Sequence, residues 1–418
     1  MPAVGVLRLA LIPLLAFAVA AARPDPAAGK VAPCDRVASP RTADAVHRLL
    51  ERLSPGQTGC LRSGTYVADQ FLIRTPRIGL MSFPGERATL RGRLRVNVGG
   101  DGAVIRRLNL DGRNPHGWLG VLIYANRVVL RANRITNHHL TSCVFIDRFP
   151  GNPPPRGVVI DGNRIHDCGR LPATNQDHGI YVAGARGTVI RNNWIHDNAD
   201  RGIQLYPDAD RTRVTGNVVY GNGQGVIFGG NGDSSSDDNL VKRNVITDSR
   251  IRYNIESHWQ GPTGTGNVAR RNCVRIRRDR YSGSPPLSGI QPDASGFRAS
   301  RNRVAVPRYV RPAAGNFELR PRSKCSRVTF AADGRRSGAR RVRLRGRVAG
   351  MLAGAGRRVV LEVRRGGGWK RFASGRVGPR DRFAIRRRVM GGPRTLRLRA
   401  KVSGVGRSHA VRVPVRGH

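Results

Sequence analysis

The sequence predicts an all-β protein whose central region is a parallel β-solenoid and whose C-terminal region is a small β-sandwich. A short apolar pattern with a shared asparagine recurs through residues 63–326, and alternating strand patterns replace it from residue 327 onward. The apolar runs are only four or five residues long, rich in Val and Ile, and broken by Gly, Asn and Asp. Runs of this kind favour strands over helices.

The central repeat has the pattern apolar, apolar, x, x, Asn, x, apolar. Successive shared asparagines are 24 to 30 residues apart, a spacing typical of solenoids. Stacking such units predicts that these side chains lie above one another at one corner, where each amide bonds to the next. The shared residues are Asn133, Asn163, Asn193, Asn217, Asn244, Asn272 and Asn302.

Each unit also carries a second short strand, most often introduced by Gly, as in GIYV, GIQLY and GVIFG. Alternation along these strands separates inward from outward side chains, and parallel pairing at about 4.8 Å stacks the outward ones into columns. The first predicted column is Phe145, Tyr181, Gln204, Ile227, Glu256 and Gln291. The second is Asp147, Ala183, Tyr206, Gly229, His258 and Asp293.

Together, the Asn ladder and the Gly-Ile-x-Val strands resemble the right-handed parallel β-helix of the pectin-lyase-like superfamily, over about residues 63–326. The resemblance implies a right-handed coil and a polysaccharide bound along the outside of the Gly-introduced strands. It implies a carbohydrate-active protein, which we expect to be a lyase or epimerase acting on acidic polysaccharide such as polyuronate. The alternative is a cell-surface protein that binds glycan without catalysis, because a fold does not determine a function.

The ends of the chain have different compositions from its middle. Residues 1–22 predict a secretory signal peptide, with a membrane anchor as the alternative. Residues 23–62 predict a linker and a capping helix over 43–53, and residues 327–418 an Arg-rich, immunoglobulin-like sandwich. That sandwich either attaches the protein to an anionic cell wall or serves as a spacer. We expect a secreted or cell-surface monomer with no membrane span in its mature form.

Six cysteines form an even set in a chain predicted to be exported, so we expect three disulfides. Sequential pairing is the simplest arrangement, and no Cys or His spacing indicates zinc. The cysteines are Cys34, Cys60, Cys143, Cys168, Cys273 and Cys325.

The chain has a formal net charge of +47. The cations, mostly Arg, are scattered rather than gathered into a stripe with aromatic residues, so we expect no nucleic-acid partner. A genome-wide preference for Arg explains part of the excess. The remaining charge favours acidic polysaccharide or cell-wall polymers as partners.

Candidate catalytic residues precede and occupy the Gly-introduced strands. His178 and Tyr181 in DHGIYV loosely resemble the acid and base arrangement of polyuronate epimerases and lyases, and Arg201 holds the matching place one unit on. The resemblance implies His178 as base, Tyr181 as acid or second base, and Arg201 as the group that neutralises the substrate carboxylate. The Asp-Pro-His-Asp-type motif of the epimerases is missing here.

Glu256 and His258 in NIESHWQ form a second candidate cluster. Two facing carboxylates would indicate glycoside hydrolysis instead, with Asp293 or Asp208 as the partner of Glu256. Aromatic and amide side chains suit sugar rings and hydroxyls, although exposed aromatic residues also stabilise neighbouring strands without any ligand. The predicted substrate-binding residues are Phe145, Asp147, Gln204, Tyr206, Trp259 and Gln291.

Two acidic loops, YPDAD and GGNGDSSSDDN, offer oxygen atoms that suit Ca²⁺. Calcium would serve a lyase by neutralising the uronate carboxylate. The alternative is a solvent-exposed loop rich in Asp and Ser, since the spacing matches no defined calcium loop. The candidate ligands are Asp208, Asp210, Asp233 and Asp237.

Overall fold

A computed structural model describes residues 34–41, 44–257, 261–277, 285–333, 341–388 and 395–414. The predicted signal peptide (1–22) and two candidate site residues, His258 and Trp259, lie outside these ranges. Within them the chain forms β-strands, one α-helix at Ala45–Glu51 and a short 3₁₀ helix at Pro312–Ala314. None of the helices in these ranges is long and apolar enough to cross a membrane.

The central region is a parallel β-helix with three faces. Sheet 1 contains the seven strands that precede the shared asparagines and, at its start, four earlier strands. Its eleven strands run in chain order across the sheet. They are Arg36–Ala38, Thr58–Leu61, Gly79–Ser82, Val104–Arg106, Val129–Arg131, Val159–Asp161, Val189–Arg191, Arg213–Thr215, Leu240–Lys242, Val268–Arg270 and Arg298–Ser300.

Sheet 2 contains the strands that follow the shared asparagines, and sheet 3 contains the Gly-introduced strands. Ala88–Val96 joins them into one sixteen-stranded sheet, because it pairs with the first strand of each and with Gly64–Ile73. The strands of sheet 2 are Asn109–Asp111, Arg134–Thr136, Arg164–His166, Trp194–His196, Val218–Tyr220, Val245–Thr247, Cys273–Arg275 and Arg303–Val304. Those of sheet 3 are Val121–Ile123, Val144–Ile146, Ile180–Arg186, Arg201–Asp210, Gln224–Phe228 and Ile255–Ser257.

The predicted asparagine ladder is present. Asn193 Oδ1 accepts hydrogen bonds from the backbone N–H of Asn163 (2.8 Å) and from its side-chain amide (3.1 Å), while Asn193 Nδ2 donates to the Ile160 carbonyl (2.9 Å). Equivalent bonds run from Asn133 to Asn302. Each amide therefore satisfies buried backbone groups at the corner between sheets 1 and 2.

A glycine begins most strands of sheet 3 because its α-carbon faces the packed interior. A Cβ on Gly179 would lie 2.7 Å from Asn198 Nδ2, and one on Gly202 would lie 2.7 Å from Val219 Cγ1. The following residue, such as Ile180, also points into the core. The backbone therefore bends at the glycine, and the residue before it faces outward.

The three disulfides pair the cysteines sequentially, which confirms the prediction. Cys34–Cys60 fastens the N-terminal end, Cys143–Cys168 joins two parts of the central coils, and Cys273–Cys325 connects the last coils to the C-terminal region. The N-terminal helix is shorter than predicted. Its buried Leu49 packs against the first strands, where a Cβ on Gly59 would lie 2.8 Å from Leu49 Cδ2, and its role as a cap stays a prediction.

The C-terminal region forms two further sheets. A seven-stranded sheet contains Tyr309–Arg311, Asn316–Leu319, Arg358–Arg365, Gly368–Arg376, Thr395–Val402, Gly406–Arg407 and Val411–Pro414. A three-stranded antiparallel sheet contains Ser326–Asp333, Arg341–Gly350 and Arg382–Arg388, and a small hairpin, Gly230–Asn231 with Ser234–Ser235, projects from the β-helix. Strands from residue 309 onward thus already pair with this region, whose immunoglobulin-like type stays a prediction.

The C-terminal region packs against the outer face of sheet 2. Phe317 is fully buried there, with its ring 5.7 Å from that of Trp194 and 4.7 Å from that of His196. One apolar cluster contains both Val218 of sheet 2 and Leu398 of the C-terminal sheet. Sheet 2 is therefore covered, whereas the candidate site residues lie on sheet 3.

Candidate functional site

The first predicted column on sheet 3 is continuous. Phe145 pairs with Tyr181, Tyr181 with Gln204, Gln204 with Ile227, and Ile227 with Glu256. Parallel pairing therefore brings residues more than one hundred positions apart in the chain onto one strip of surface.

This column is not solvent-exposed along its whole length, which corrects the expectation of a wet outer face. Phe145 and Tyr181 are half-buried, but Gln204, Ile227 and Glu256 are buried, and Glu256 has no exposed surface. At this end of the column Arg252, from the loop directly before Ile255–Ser257, lies against Glu256.

The second predicted column is interrupted. Val182 pairs with Leu205, but the next pair is Gly184 with Asp208, so that Tyr206 and Pro207 together face Ala183. Because of this shift in register, the second column is not a continuous row of paired residues, and Asp208 pairs with Gly184. Arg148 lies between the two acidic positions: its Nη2 is 3.5 Å from Asp208 Oδ2, and its backbone N–H donates to Asp147 Oδ1 at 2.8 Å.

The residues that precede the corner glycines form a third outward row, of which the sequence analysis identified only two members. His178 and Arg201 occupy matching places, because Gly179 N–H donates to the Arg201 carbonyl at 2.9 Å. Arg201 pairs in turn with Gln224. Gln224 was missed, although it stands directly before Gly225 in the same repeat position.

Arg201 is fixed by the loop before sheet 3. Its Nη1 donates to the Asn175 carbonyl (2.8 Å) and its Nη2 to Asn175 Oδ1 (2.6 Å), and only 2% of the residue is exposed. Burial lowers the pKa of the guanidinium, against the opposing effect of the nearby Glu256 carboxylate. The same loop is held by Asp177, whose Oδ2 accepts a 2.6 Å hydrogen bond from Arg170 Nε.

His178 lies against Tyr181 in an edge-to-face contact, with ring centroids 5.2 Å apart. The imidazole is fully buried, and burial and the Arg201 charge lower its pKa well below the ordinary histidine value. Burial raises the pKa of Tyr181 to about 12. At neutral pH the pair therefore consists of a neutral imidazole and a protonated phenol that is partly open to solvent.

Glu256 is the buried carboxyl of the cluster. Arg252 Nη2 lies 3.0 Å from Glu256 Oε2, but neither carboxylate oxygen has a hydrogen bond of good geometry. Burial raises the pKa of Glu256 to about 7, with Arg252 and Arg201 acting in the opposite direction. A carboxyl with this pKa is present in both protonation states near neutral pH, as general acids and bases require. The charges that act on it come from arginines, and within the described ranges no carboxylate is paired with it as hydrolysis would need.

Buried polar atoms without a hydrogen-bond partner are concentrated in this cluster. They include both ring nitrogens of His178, Nε of Arg201, Oε1 of Gln224 and both carboxylate oxygens of Glu256. Buried polar groups in proteins are nearly always paired, so such a concentration marks a place where a ligand or water completes the hydrogen bonds. Shifted pKa values in the same group are typical of functional sites.

An aromatic and basic strip continues from this cluster along the earlier coils, and sequence analysis missed most of it. Arg95 pairs with Leu122, which precedes Phe145 in the first column. The Arg95 guanidinium lies over the rings of Tyr124 (5.3 Å) and Phe149 (5.7 Å). The alternation in ATLRGRLRV gives a signal for an outward Arg95, whereas the loop aromatic Phe149 has none.

The remaining candidates are engaged by other groups of the protein. Gln291 Oε1 accepts a hydrogen bond from Ser257 N–H at 2.9 Å, so that its amide is occupied by the backbone. Asp237 accepts hydrogen bonds from Thr265 and Ser235, and Asp210 lies 3.5 Å from Arg186 Nε.

No group of three or more potential metal ligands occurs among the residues that the structure describes. The two best-placed acidic ligands, Asp208 and Asp210, lie near arginines, and Asp233 is exposed. Burial raises the pKa of Asp208, with the Asp210 charge adding to it. Calcium binding by these residues and Asp237 stays a prediction.

Comparison with known proteins gives the following matches. The family described as "Right handed beta helix region" matches residues 96–274. A mutant of the periplasmic alginate epimerase AlgG is similar over 64% of this chain and 83% of its own, with 11% identity and a TM-score of 0.31. The alginate lyase AlyF-OU02 is similar over 64% and 84%, with 11% identity and a TM-score of 0.24. No curated protein matches the sequence.

Proposed function

We propose that this right-handed parallel β-helix protein binds an acidic polysaccharide along sheet 3 and acts on it as a polyuronate lyase or epimerase. The observation that carries the proposal is the set of unpartnered buried polar atoms on His178, Arg201, Gln224 and Glu256, at the end of an aromatic and basic strip. The strip suits the polymer, since aromatic faces contact sugar rings and guanidinium groups attract carboxylates.

The chemistry begins with removal of the proton on the carbon beside the uronate carboxylate. The negative charge that develops on that carboxylate needs a fixed donor, and Arg201, held by Asn175, supplies one. Glu256 supplies a second donor when it is protonated, which its pKa of about 7 allows near neutral pH.

His178 and Tyr181 divide the proton transfers. The neutral His178 ring accepts the carbon-bound proton, and Tyr181, with a pKa of about 12, keeps a proton that it donates. In a lyase that proton goes to the leaving glycosidic oxygen as its C–O bond breaks and a C=C bond forms. In an epimerase Tyr181 donates its proton to the carbon that lost one to His178, on the opposite face. Tyr181 is the more exposed of the two and contacts the polymer first, and the sugar carbon reaches the covered His178 ring after the Tyr181 ring moves aside.

The test is to incubate the purified full chain with alginate, pectate and glycosaminoglycans. A lyase releases unsaturated uronate, seen as ultraviolet absorbance, and an epimerase changes the uronate configuration, seen by NMR. We expect Tyr181→Phe and His178→Gln to lower kcat by roughly 10²-fold to 10⁴-fold with polymer binding retained. His47→Gln, a change in the N-terminal helix, is the matched control and should leave kcat unchanged.

The second candidate is a non-catalytic glycan-binding protein, which the same aromatic and basic strip favours. In that case no polymer is converted, and substitution of Tyr124 or Phe145 lowers affinity gradually. If polymers of the panel bind but none is converted, the glycan-binding function is supported and the enzymatic function is contradicted. Absence of both binding and turnover would contradict the proposed polysaccharide site on sheet 3.

The proposed site of action is outside the cytoplasm. Three disulfides are formed, and structural disulfides persist in oxidising compartments. Fractionation of the producing cell, with non-reducing electrophoresis of the recovered protein, tests this location. Recovery of the reduced protein from the cytoplasm would contradict it.

A further inference from the structure

The C-terminal region contains a cavity that the proposed catalytic site does not involve. It has a volume of about 650 Å³, which is within the range of ligand-binding clefts, and lies between the end of the β-helix and the strands Ser326–Asp333 and Val411–Pro414. Four cationic residues line it: Arg303, Arg322, Lys324 and Arg327. None of the described residues that line it is Asp or Glu.

These four cations have no acidic partners among the described residues. Two carboxylates of the C-terminal region are engaged elsewhere: Glu362 with Arg399 at 2.6 Å, and Glu318 with Lys401 at 3.2 Å. Like charges in one cavity repel each other, and only solvent ions or a bound anion relieve that repulsion. The arrangement therefore favours an anionic ligand.

A second, shallower hollow continues the first. It shares Thr329 and Phe330 with the larger cavity and adds three more cations, Arg345, Arg347 and Arg382. The lining residues that the structure describes again include no acidic one. The two hollows form one surface, which we call the basic groove. Cations that line both hollows match several anionic groups of a chain rather than a single small anion.

The lining of the groove also includes apolar surface. The half-buried rings and chains of Phe330 and Met351 lie among the cations, and Val411 lines the same cavity. A phosphate chain has no apolar face to place against them, whereas a sugar ring has one. Guanidinium groups beside apolar surface therefore match a polysaccharide that carries carboxylates.

We propose that the basic groove is a second binding site for a linear acidic polysaccharide, separate from sheet 3. It holds the polymer, or the protein on a polymer-rich surface, without taking part in chemistry. Binding at the basic groove does not require turnover at sheet 3, so the two proposals can be tested independently.

The test measures the affinity of the full chain for polygalacturonate, by calorimetry at several salt concentrations. We expect Arg322→Glu with Lys324→Glu to weaken binding at least about tenfold at low salt and to reduce the dependence of log K on log salt by about one for each polymer carboxylate that the variant no longer neutralises. Arg74→Glu with Arg77→Glu is the matched control, because it makes the same charge change on exposed residues of an early coil. The neutral pair Arg322→Gln with Lys324→Gln should show a smaller reduction in affinity, and thermal unfolding checks that each variant is folded.

Other outcomes overturn the proposal. Equal reductions in affinity in the groove variant and the control would mean that only the overall charge attracts the polymer. Tighter binding of polyphosphate or of a DNA oligonucleotide of matched charge would assign the groove to a phosphate chain or a nucleic acid. Turnover of short oligosaccharides should be unchanged in the groove variant, so that failure at this groove is distinguishable from failure of the proposed function at sheet 3.

Discussion

Glu256 shows how one buried group links the stability of the fold to its proposed chemistry. Desolvation dominates its electrostatics and raises its pKa from 4.5 to about 7, even though Arg252 lies 3.0 Å away. Between these two pH values the folded protein binds more protons at this residue than the unfolded chain does. Stability contributed by the neutral carboxyl is therefore present at low pH and is lost as the pH rises through about 7.

We expect Glu256→Gln to stabilise the protein at pH 8 by roughly 1 to 3 kcal/mol, because the variant no longer buries a carboxylate. At pH 5 the difference between variant and wild type should shrink, since the wild-type carboxyl is then protonated. Denaturant unfolding at the two pH values measures this. A stability difference that is the same at both would show that Glu256 is ionised throughout.

His178 has the opposite dependence on pH. Burial holds the pKa of its imidazole well below 6.5, so that below this pH the unfolded chain binds a proton that the folded chain does not. We expect the contribution of His178 to stability to be lost on acidification from about pH 6.5, so that the stability of the wild type falls relative to that of His178→Gln. Thermal unfolding of both proteins between pH 7 and pH 4, beside His409→Gln as control, measures this. Parallel curves for wild type and His178→Gln would contradict a buried neutral imidazole.

Among the secondary-structure elements, those that rest on repeated local patterns were predictable. The ladder asparagines and the alternation in GIYV and GIQLY predicted the corner bonds and the register of the first column, because parallel stacking repeats one geometry in every coil. The pairing shift after Val182 was not predicted, since alternation assumes a regular ladder. Pro207, which lacks an N–H group, was a usable signal for it.

The burial of Glu256 and the aromatic contacts of Arg95 could not be predicted in the same way. Both depend on loops outside the repeat: Arg252 comes from a connection after sheet 2, and Phe149 from the loop after Val144–Ile146. Residues in such loops have no periodicity that fixes where their side chains lie. The sequence thus predicts which residues lie along the outer face of sheet 3, and tertiary packing determines which of these side chains are exposed.

The asparagine ladder gives a test of what holds successive coils together. Replacing Asn193 by Ala removes the donor to the Ile160 carbonyl and the acceptor for Asn163 N–H, and leaves both groups buried. We expect a loss of about 2 to 4 kcal/mol in the free energy of unfolding. Asn109→Ala, on the outer face of sheet 2 with one side-chain bond to Thr89, should cost less than about 1 kcal/mol. Similar losses in denaturant unfolding of the two variants would mean that a ladder asparagine contributes no more to stability than an asparagine on the outer face.

The two regions of the chain are joined by more than the Cys273–Cys325 disulfide. Beside the apolar contact around Phe317, Asp381 of the C-terminal region forms an ion pair with Arg243 of the β-helix. Asp381 Oδ1 also accepts hydrogen bonds from two backbone N–H groups, those of Gly354 and Ala355, at 2.9 Å. Polar contacts thus fix the orientation in which the described part of the C-terminal region packs against sheet 2.

Arg357 is the buried centre of this interface. Its guanidinium donates to the carbonyls of Ala353 (3.0 Å) and Ser403 (3.1 Å) within the C-terminal region and to that of Gly216 in the β-helix, and burial lowers its pKa to about 10. Arg357→Met keeps the side-chain volume but leaves these carbonyl oxygens buried without a donor, so we expect the interface to weaken by about 2 to 4 kcal/mol. Hydrogen exchange should then speed up at Asn316–Leu319 and Trp194–His196 and stay unchanged at Val121–Ile123. Arg376→Met, which removes an exposed arginine bonded to the Gly356 carbonyl, is the control. Unchanged exchange at Asn316–Leu319 in Arg357→Met would show that the apolar contact and the disulfide alone hold the two regions together.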